Sequence, residues 1–216
     1  AFTRGVPLND LEAPEDALAA RDVACVITEP VMTNSCMVLP AAGFHAAVRR
    51  LTRETGTLLL VDETHTVSTG LGGYTRTHGL EPDLFVLGKP VAGGVPASVW
   101  GMSDAVAAAF ADSEGRRPPG HSGMGTTLSA NPLQLAAMRA TLEQVMTAAN
   151  YAHMERLAAA LQEGLAFAIL RHRLPWHVVR VGARVEFICA AGPLRNGAEA
   201  RRAHAPALER AIHLSL

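Results

Sequence analysis

A chain of 216 residues, 49% apolar and 18% charged with a net charge of −1, has the composition of a globular protein with a sizeable core. It holds no basic block, so nothing points to nucleic acid or an anionic membrane, and no apolar run approaches the length of a bilayer span. The three cysteines, Cys25, Cys36 and Cys189, are too scattered for a disulfide frame or a zinc site, and read as reduced thiols of a cytoplasmic protein.

The N-terminal "AFTRGVPLND" lacks the apolar stretch of a signal peptide. The chain begins at Ala1 without a methionine and stops inside the apolar "AIHLSL", which reads as an excerpt of a longer protein. In chain order, "DLEAPEDALAA" predicts a helix and "ACVITEP" a strand ended by Pro30. In "PAAGFHAAVRRLTRETG", Phe44, Ala47, Val48 and Leu51 share one helical face, and Gly56 supplies the stop. The run "TLLLVDE" is continuously apolar and closed by acids, the pattern of a strand buried on both faces. "DLFVLGK" and "PASVWGMS" predict two more strands, and Ser103 caps a short alanine-rich helix. Asn131 followed by Pro132 marks a helix start, and that helix with its successor fills much of residues 132 to 172.

Strand–helix alternation of this kind predicts an α/β domain with a largely parallel sheet, whose ligands gather at the carboxyl ends of the strands. From "PWHVVRVGARVEFICAAGP" the texture changes. Val181, Ala183, Val185 and Phe187 alternate with Gly182, Arg184 and Glu186 as in a half-exposed strand, "RNG" predicts a turn, and an arginine-rich helix interrupted by Pro206 follows. Residues 1–172 are therefore assigned to the large α/β domain and 173–216 to the start of a smaller α+β domain.

Lys89 is the only lysine, although the chain has 19 basic residues. A coding bias toward arginine explains the other cations but not the exception. Arginine stays protonated, whereas a lysine amine can be deprotonated and attack a carbonyl, so Lys89 is a candidate for amine chemistry. Asp62 and Lys89 each end a predicted strand and could face one pocket. An amine that held pyridoxal phosphate would need a buried carboxylate against the pyridine nitrogen, and Asp62 fits that place. On its own Asp62 reads equally as a turn cap. The phosphate would need amides and hydroxyls before a helix, and "GTTLSANP" offers Thr126, Thr127 and Ser129.

Taken together, "VDETHT…LGKPVAGGVPAS…GTTLSANPLQLAAM" resembles the class III aminotransferases of fold type I, and most of all the glutamate-1-semialdehyde aminomutase branch. The likeness runs from about residue 8 to 172. It implies that Lys89 forms the Schiff base with pyridoxal 5'-phosphate and that Asp62 pairs with the pyridine nitrogen. It places Thr64 against the ring face, His65 near the phenolic oxygen, and Thr127, with Thr126 beside it, at the phosphate of the neighbouring subunit in a homodimer with shared sites. Asn34, in "EPVMTNSCM", stands where other branches carry a glutamate. The expected activity is amino transfer between an amino acid or amine and a carbonyl compound. The alternatives are glutamate-1-semialdehyde 2,1-aminomutase or a catalytically silent truncated relative. "DETHTVSTG" departs from the branch's usual Asp-Glu-Val-Met-Thr-Gly, and the family's earlier phosphate loop, its ring-stacking aromatic and its last strands have no counterpart here.

Other motifs carry less. The glycines of "GLGGYTRTHG" lack the strand–loop–helix setting of a dinucleotide site, and His65, His78 and His121 have no metal-ligand spacing. "AVRRLTRE" reads as a solvated helix face.

Overall fold

The computed structural model describes residues 2–34, 36–120, 124–125 and 127–215. Helix α1 (Glu12–Leu18) opens the chain, with the amides of Glu12 and Ala13 received by the Asp10 carboxylate. Strand β1 (Cys25–Thr28), helix α2 (Phe44–Thr55), strand β2 (Leu58–Asp62), helix α3 (Gly73–Thr77), strand β3 (Leu84–Leu87) and strand β4 (Val99–Met102) follow. The four strands form one sheet in the order β1-β2-β3-β4, the first three parallel and β4 antiparallel to β3.

Helix α2 has the apolar stripe expected of it, and Gly56 closes it in the left-handed conformation (φ 74°) that a residue with a side chain adopts at a penalty. Phe44 and Val48 pack on Leu59 and Val61. The expectation that this strand is buried on both faces holds for one. Leu59 and Val61 are buried beneath α2, whereas Leu58 and Leu60 on the opposite face are only partly covered. The start of β3 is fixed to both neighbours by Asp83. Its carboxylate takes a two-pronged ion pair from Arg49 of α2 (2.6 and 2.9 Å) and the amide of Leu59 (2.8 Å), and the Arg49 bond chiefly holds its pKa below the usual carboxylate range.

Beyond β4, Ser103 caps α4 (Asp104–Gly115) and Asn131 caps α5 (Pro132–Ala140), both as the sequence indicates. A π-helical turn (Thr141–Val145) precedes α6 (Ala148–Arg171), capped by Thr147. The alternating stretch around residue 182 is not one strand. It is a hairpin of β5 (His177–Val181) and β6 (Arg184–Ile188), because Gly182 takes a positive φ (53°) and reverses the chain between Val181 and Arg184. "RNG" likewise begins a helix, since Asn196 caps α7 (Gly197–Ala203). Pro206 starts a separate helix α8 (Pro206–Ser215) at the position where its missing N–H does no harm. No helix among the described residues is long and apolar enough to cross a membrane.

The hairpin is not free. Val179 and Ile188 join Val31, Met37 and Tyr74 in one apolar cluster. The Gly182 turn presses on the Thr66–Thr69 turn so closely that a Cβ at 182 would lie 1.6 Å from the Thr69 carbonyl oxygen. Gly182→Ala should therefore lower stability by roughly 2–4 kcal/mol, the range for overpacking combined with backbone strain. The check is a urea midpoint. A change within about 0.5 kcal/mol, ordinary for a surface site, would mean that the turn is not seated on Thr69.

Candidate active site

Parallel strands β2 and β3 end side by side, Asp62 opposite Val86, and the amide of Glu63 continues the ladder to the Val86 carbonyl at 2.8 Å. Asp62 then turns the chain. Its Oδ1 accepts the Thr64 amide at 2.9 Å, a local Asx turn, while the carboxyl stays partly accessible. The side chain of Thr64 leans toward the next strand, its Cγ2 and Oγ1 lying 3.5 and 3.6 Å from where a Cβ on Gly88 would stand.

Lys89 follows Gly88 and is exposed, with its backbone at φ 46°. A left-handed lysine costs about 1–2 kcal/mol, and strain of this kind gathers at functional sites. The conformation is held from below. Lys89–Ala92 form one 3₁₀ turn closed by Gly93, and Val91 and Ala92 are buried beside Val67 and Leu87.

His65 completes the group. Its Nδ1 hydrogen-bonds to Thr33 Oγ1, and that hydroxyl donates to Glu29 Oε2 at 2.6 Å. Burial is the main cause that pushes the His65 pKa below its ordinary value. The charges of Lys89 and Arg184 push the same way, while Glu29 and Asp62 oppose them. Of these groups Glu29 has a carboxylate oxygen 3.7 Å from Nδ1. Behind the loop, His45 Nε2 contacts the Pro30 carbonyl at 2.7 Å and fixes the segment that carries Glu29 and Thr33.

The structure thus brings Asp62, Thr64, His65 and Lys89 together. Asn34 is exposed on the bend between Met32 and Val38, and Thr127 is exposed on the turn before α5. No hydrogen bond among the described residues ties either to that group. Thr126 lies outside the described residues. Concave spaces of about 660 Å³ beside α2 and α3 and about 730 Å³ between β4 and α5 include neither Asp62 nor Lys89. No cluster of three histidine, cysteine or acidic residues fit to hold a metal occurs among the described residues.

Sequence reading did not single out Glu63. It has no exposed surface, and its carboxylate receives the Thr66 hydroxyl at 2.5 Å, the Tyr74 amide at 3.2 Å and the Thr75 amide. It thereby occupies the N-terminus of α3, where the helix dipole favours negative charge. The approach of Gly73 to this carboxylate is as close as glycine permits, with a Cβ there only 2.8 Å from Oε2. The signal for Glu63 was its parity. It stands two residues after buried Val61, so the strand alternation carries its side chain inward. Tyr151 of α6 adds a second clamp, its hydroxyl donating to the Val67 carbonyl at 2.8 Å.

A profile of the class III aminotransferases matches residues 6–187. The chain belongs to that family. Within the class III aminotransferases, a glutamate-1-semialdehyde 2,1-aminomutase of Thermomicrobium roseum is 40% identical over 200 residues, covering 91% of this chain and 45% of that protein. A crystal structure of a glutamate-1-semialdehyde aminomutase from Pseudomonas aeruginosa, in complex with PMP, is 51% identical with a TM-score of 0.94. The match covers 98% of this chain and 48% of that one. An omega-transaminase from Sphaerobacter thermophilus is 28% identical with a TM-score of 0.77, covering 94% and 45%. The architecture is that of fold type I aminotransferases, and the chain spans about half the length of the relatives it matches.

Because three donors converge on a carboxylate with no exposed surface, Glu63→Gln should cost about 2–4 kcal/mol. The amide keeps one acceptor oxygen and turns N–H groups toward the amides of α3. Thermal unfolding and amide exchange at Tyr74 and Thr75 check this. Exchange unchanged from the parent would show that the carboxylate does not hold the helix.

Proposed function

We propose that this class III chain provides much of the centre of an enzyme that uses pyridoxal 5'-phosphate to move an amino group between an amino acid or amine and a carbonyl compound. The observation that carries the reading is the placement of Asp62 and Lys89 at adjoining carboxyl ends of β2 and β3, with Thr64 between them. Ligands of open α/β sheets bind at this end. The residues suit the group: a carboxylate for a pyridinium nitrogen, an accessible amine for an aldehyde carbon, and a small side chain between them that leaves room for a flat ring. When bound, the cofactor supplies an electron sink.

In this reading Asp62 holds the proton on the ring nitrogen. The Lys89 amine anchors the aldehyde carbon and, once released, accepts and returns the proton of the substrate carbon. A second reading, glutamate-1-semialdehyde 2,1-aminomutase, is supported by the names of the relatives at 40% and 51% identity. Lys89→Arg decides the common core of both. Arginine keeps the cation but cannot attach covalently, so the visible absorbance that borohydride traps should disappear while the far-ultraviolet spectrum stays. A variant that still trapped cofactor would sink the proposal.

The same reading makes the protein a cytoplasmic homodimer with shared sites, in which residues 173–216 begin a smaller domain. Helices α5 and α6 expose Leu133, Leu135, Leu157, Leu161 and Phe167, an apolar surface that suits pairing better than solvent. Thr127 lies on the turn before α5 and would reach the partner's phosphate. Co-expressed Lys89→Ala and Thr127→Ala chains should then regain part of the activity, because a mixed dimer holds one unaltered site. Mixed dimers no more active than either variant alone would place both residues in the same subunit's site.

A further inference from the structure

The hydroxyl of Thr33 has one hydrogen and stands between two partners, the Glu29 carboxylate and Nδ1 of His65. A carboxylate can only accept, so the hydroxyl hydrogen goes to Glu29. The Thr33 oxygen is then left as an acceptor toward His65, which requires the ring hydrogen to be on Nδ1. We propose that Glu29, Thr33 and His65 form a hydrogen-bonded relay that fixes the imidazole as its Nδ1–H tautomer and leaves Nε2 as an unprotonated acceptor. The relay leads into the site from the loop after β1, a different element from those that carry Asp62 and Lys89.

The charged groups around the ring decide what Nε2 can do. Lys89 and Arg184 disfavour imidazolium, Glu29 and Asp62 favour it, and burial, the largest influence, sides with the cations. His65 therefore stays neutral near neutral pH, and Nε2 offers a lone pair to an N–H or O–H group of a molecule held at Lys89. Glu29 and Thr33 act through His65 and are positioning residues. The tautomer follows from geometry alone, whereas the acceptor role toward a bound cofactor rests on the function proposed above.

The test is the ¹⁵N spectrum of the imidazoles in the full chain without cofactor, with His65 assigned by its loss in His65→Gln. At neutral pH, His65 should show a protonated Nδ1 and a bare Nε2. A protonated Nε2 overturns the relay, and this needs no variant that could misfold. Thr33→Val, which removes the oxygen at nearly constant shape, should release the ring toward the Nε2–H form, and Thr33→Ser should restore Nδ1–H. If valine leaves the tautomer unchanged in a folded protein, the relay is wrong. Glu29→Gln keeps an acceptor for Thr33 but removes a charge that favours imidazolium, so the tautomer should persist while the His65 midpoint falls, by about one pH unit for a close carboxylate. A midpoint that does not fall also overturns the relay. Adding pyridoxal phosphate should move the Nε2 resonance. If the chain takes up no cofactor while Nδ1–H is observed, the proposed function fails and the relay stands. If cofactor is trapped and Nε2 does not respond, the function stands and the acceptor role fails.

Discussion

Glu63 places a carboxylate where water does not reach, and everything on the site side of β2 is arranged around keeping it satisfied. Two amides at the start of α3 and the hydroxyl of Thr66 converge on it. Residues 63 to 75 are thereby tied into a closed loop whose ends cannot drift apart without stranding a buried acceptor. Because side chains alternate along a strand, holding Glu63 inward holds Asp62 on the opposite side. The rigidity of the neighbouring acid is therefore inherited. Tyr151 on the Val67 carbonyl and the Gly182 turn on the Thr69 carbonyl load the same loop from two distant parts of the chain. The hairpin of β5 and β6 thus supports the site from outside, and its one charge felt there is that of Arg184 on His65.

Much of this was legible in the sequence where the cause is local. Ser103 and Asn131 are caps because their side chains reach amides three residues on, an interaction contained in a few letters. Gly56 ends α2 for the same kind of reason. Asp62 and Lys89 were singled out because strand ends and lone chemical exceptions can both be read from a line of text. The two readings of Asp62, turn cap and site carboxylate, are not rivals in the structure. One oxygen makes the Asx turn and the carboxyl remains partly accessible.

What the sequence did not reveal depends on contacts between distant residues. Thr33 and His65 are 32 positions apart, and Tyr151 and Val67 are 84 apart. No periodicity reports such pairs. The hairpin was read as a single strand because Val181, Ala183, Val185 and Phe187 keep an alternating pattern straight through a turn of two residues. Only the positive φ of Gly182 separates the two outcomes.

The left-handed backbone of Lys89 has a consequence for inheritance. Glycine, asparagine or aspartate would sit at φ 46° with less strain, so drift at this position has a downhill direction that leads away from lysine. In a descendant released from the amine chemistry proposed for it, residue 89 would be among the first places where mutation could recover stability, by about 1 kcal/mol for a single step. If the proposed role of Lys89 holds, position 89 would work as a molecular fossil marker. Across a lineage, the side chain found there would date the loss of chemistry sooner than any change at Asp62, whose Asx turn gives it a structural reason to stay.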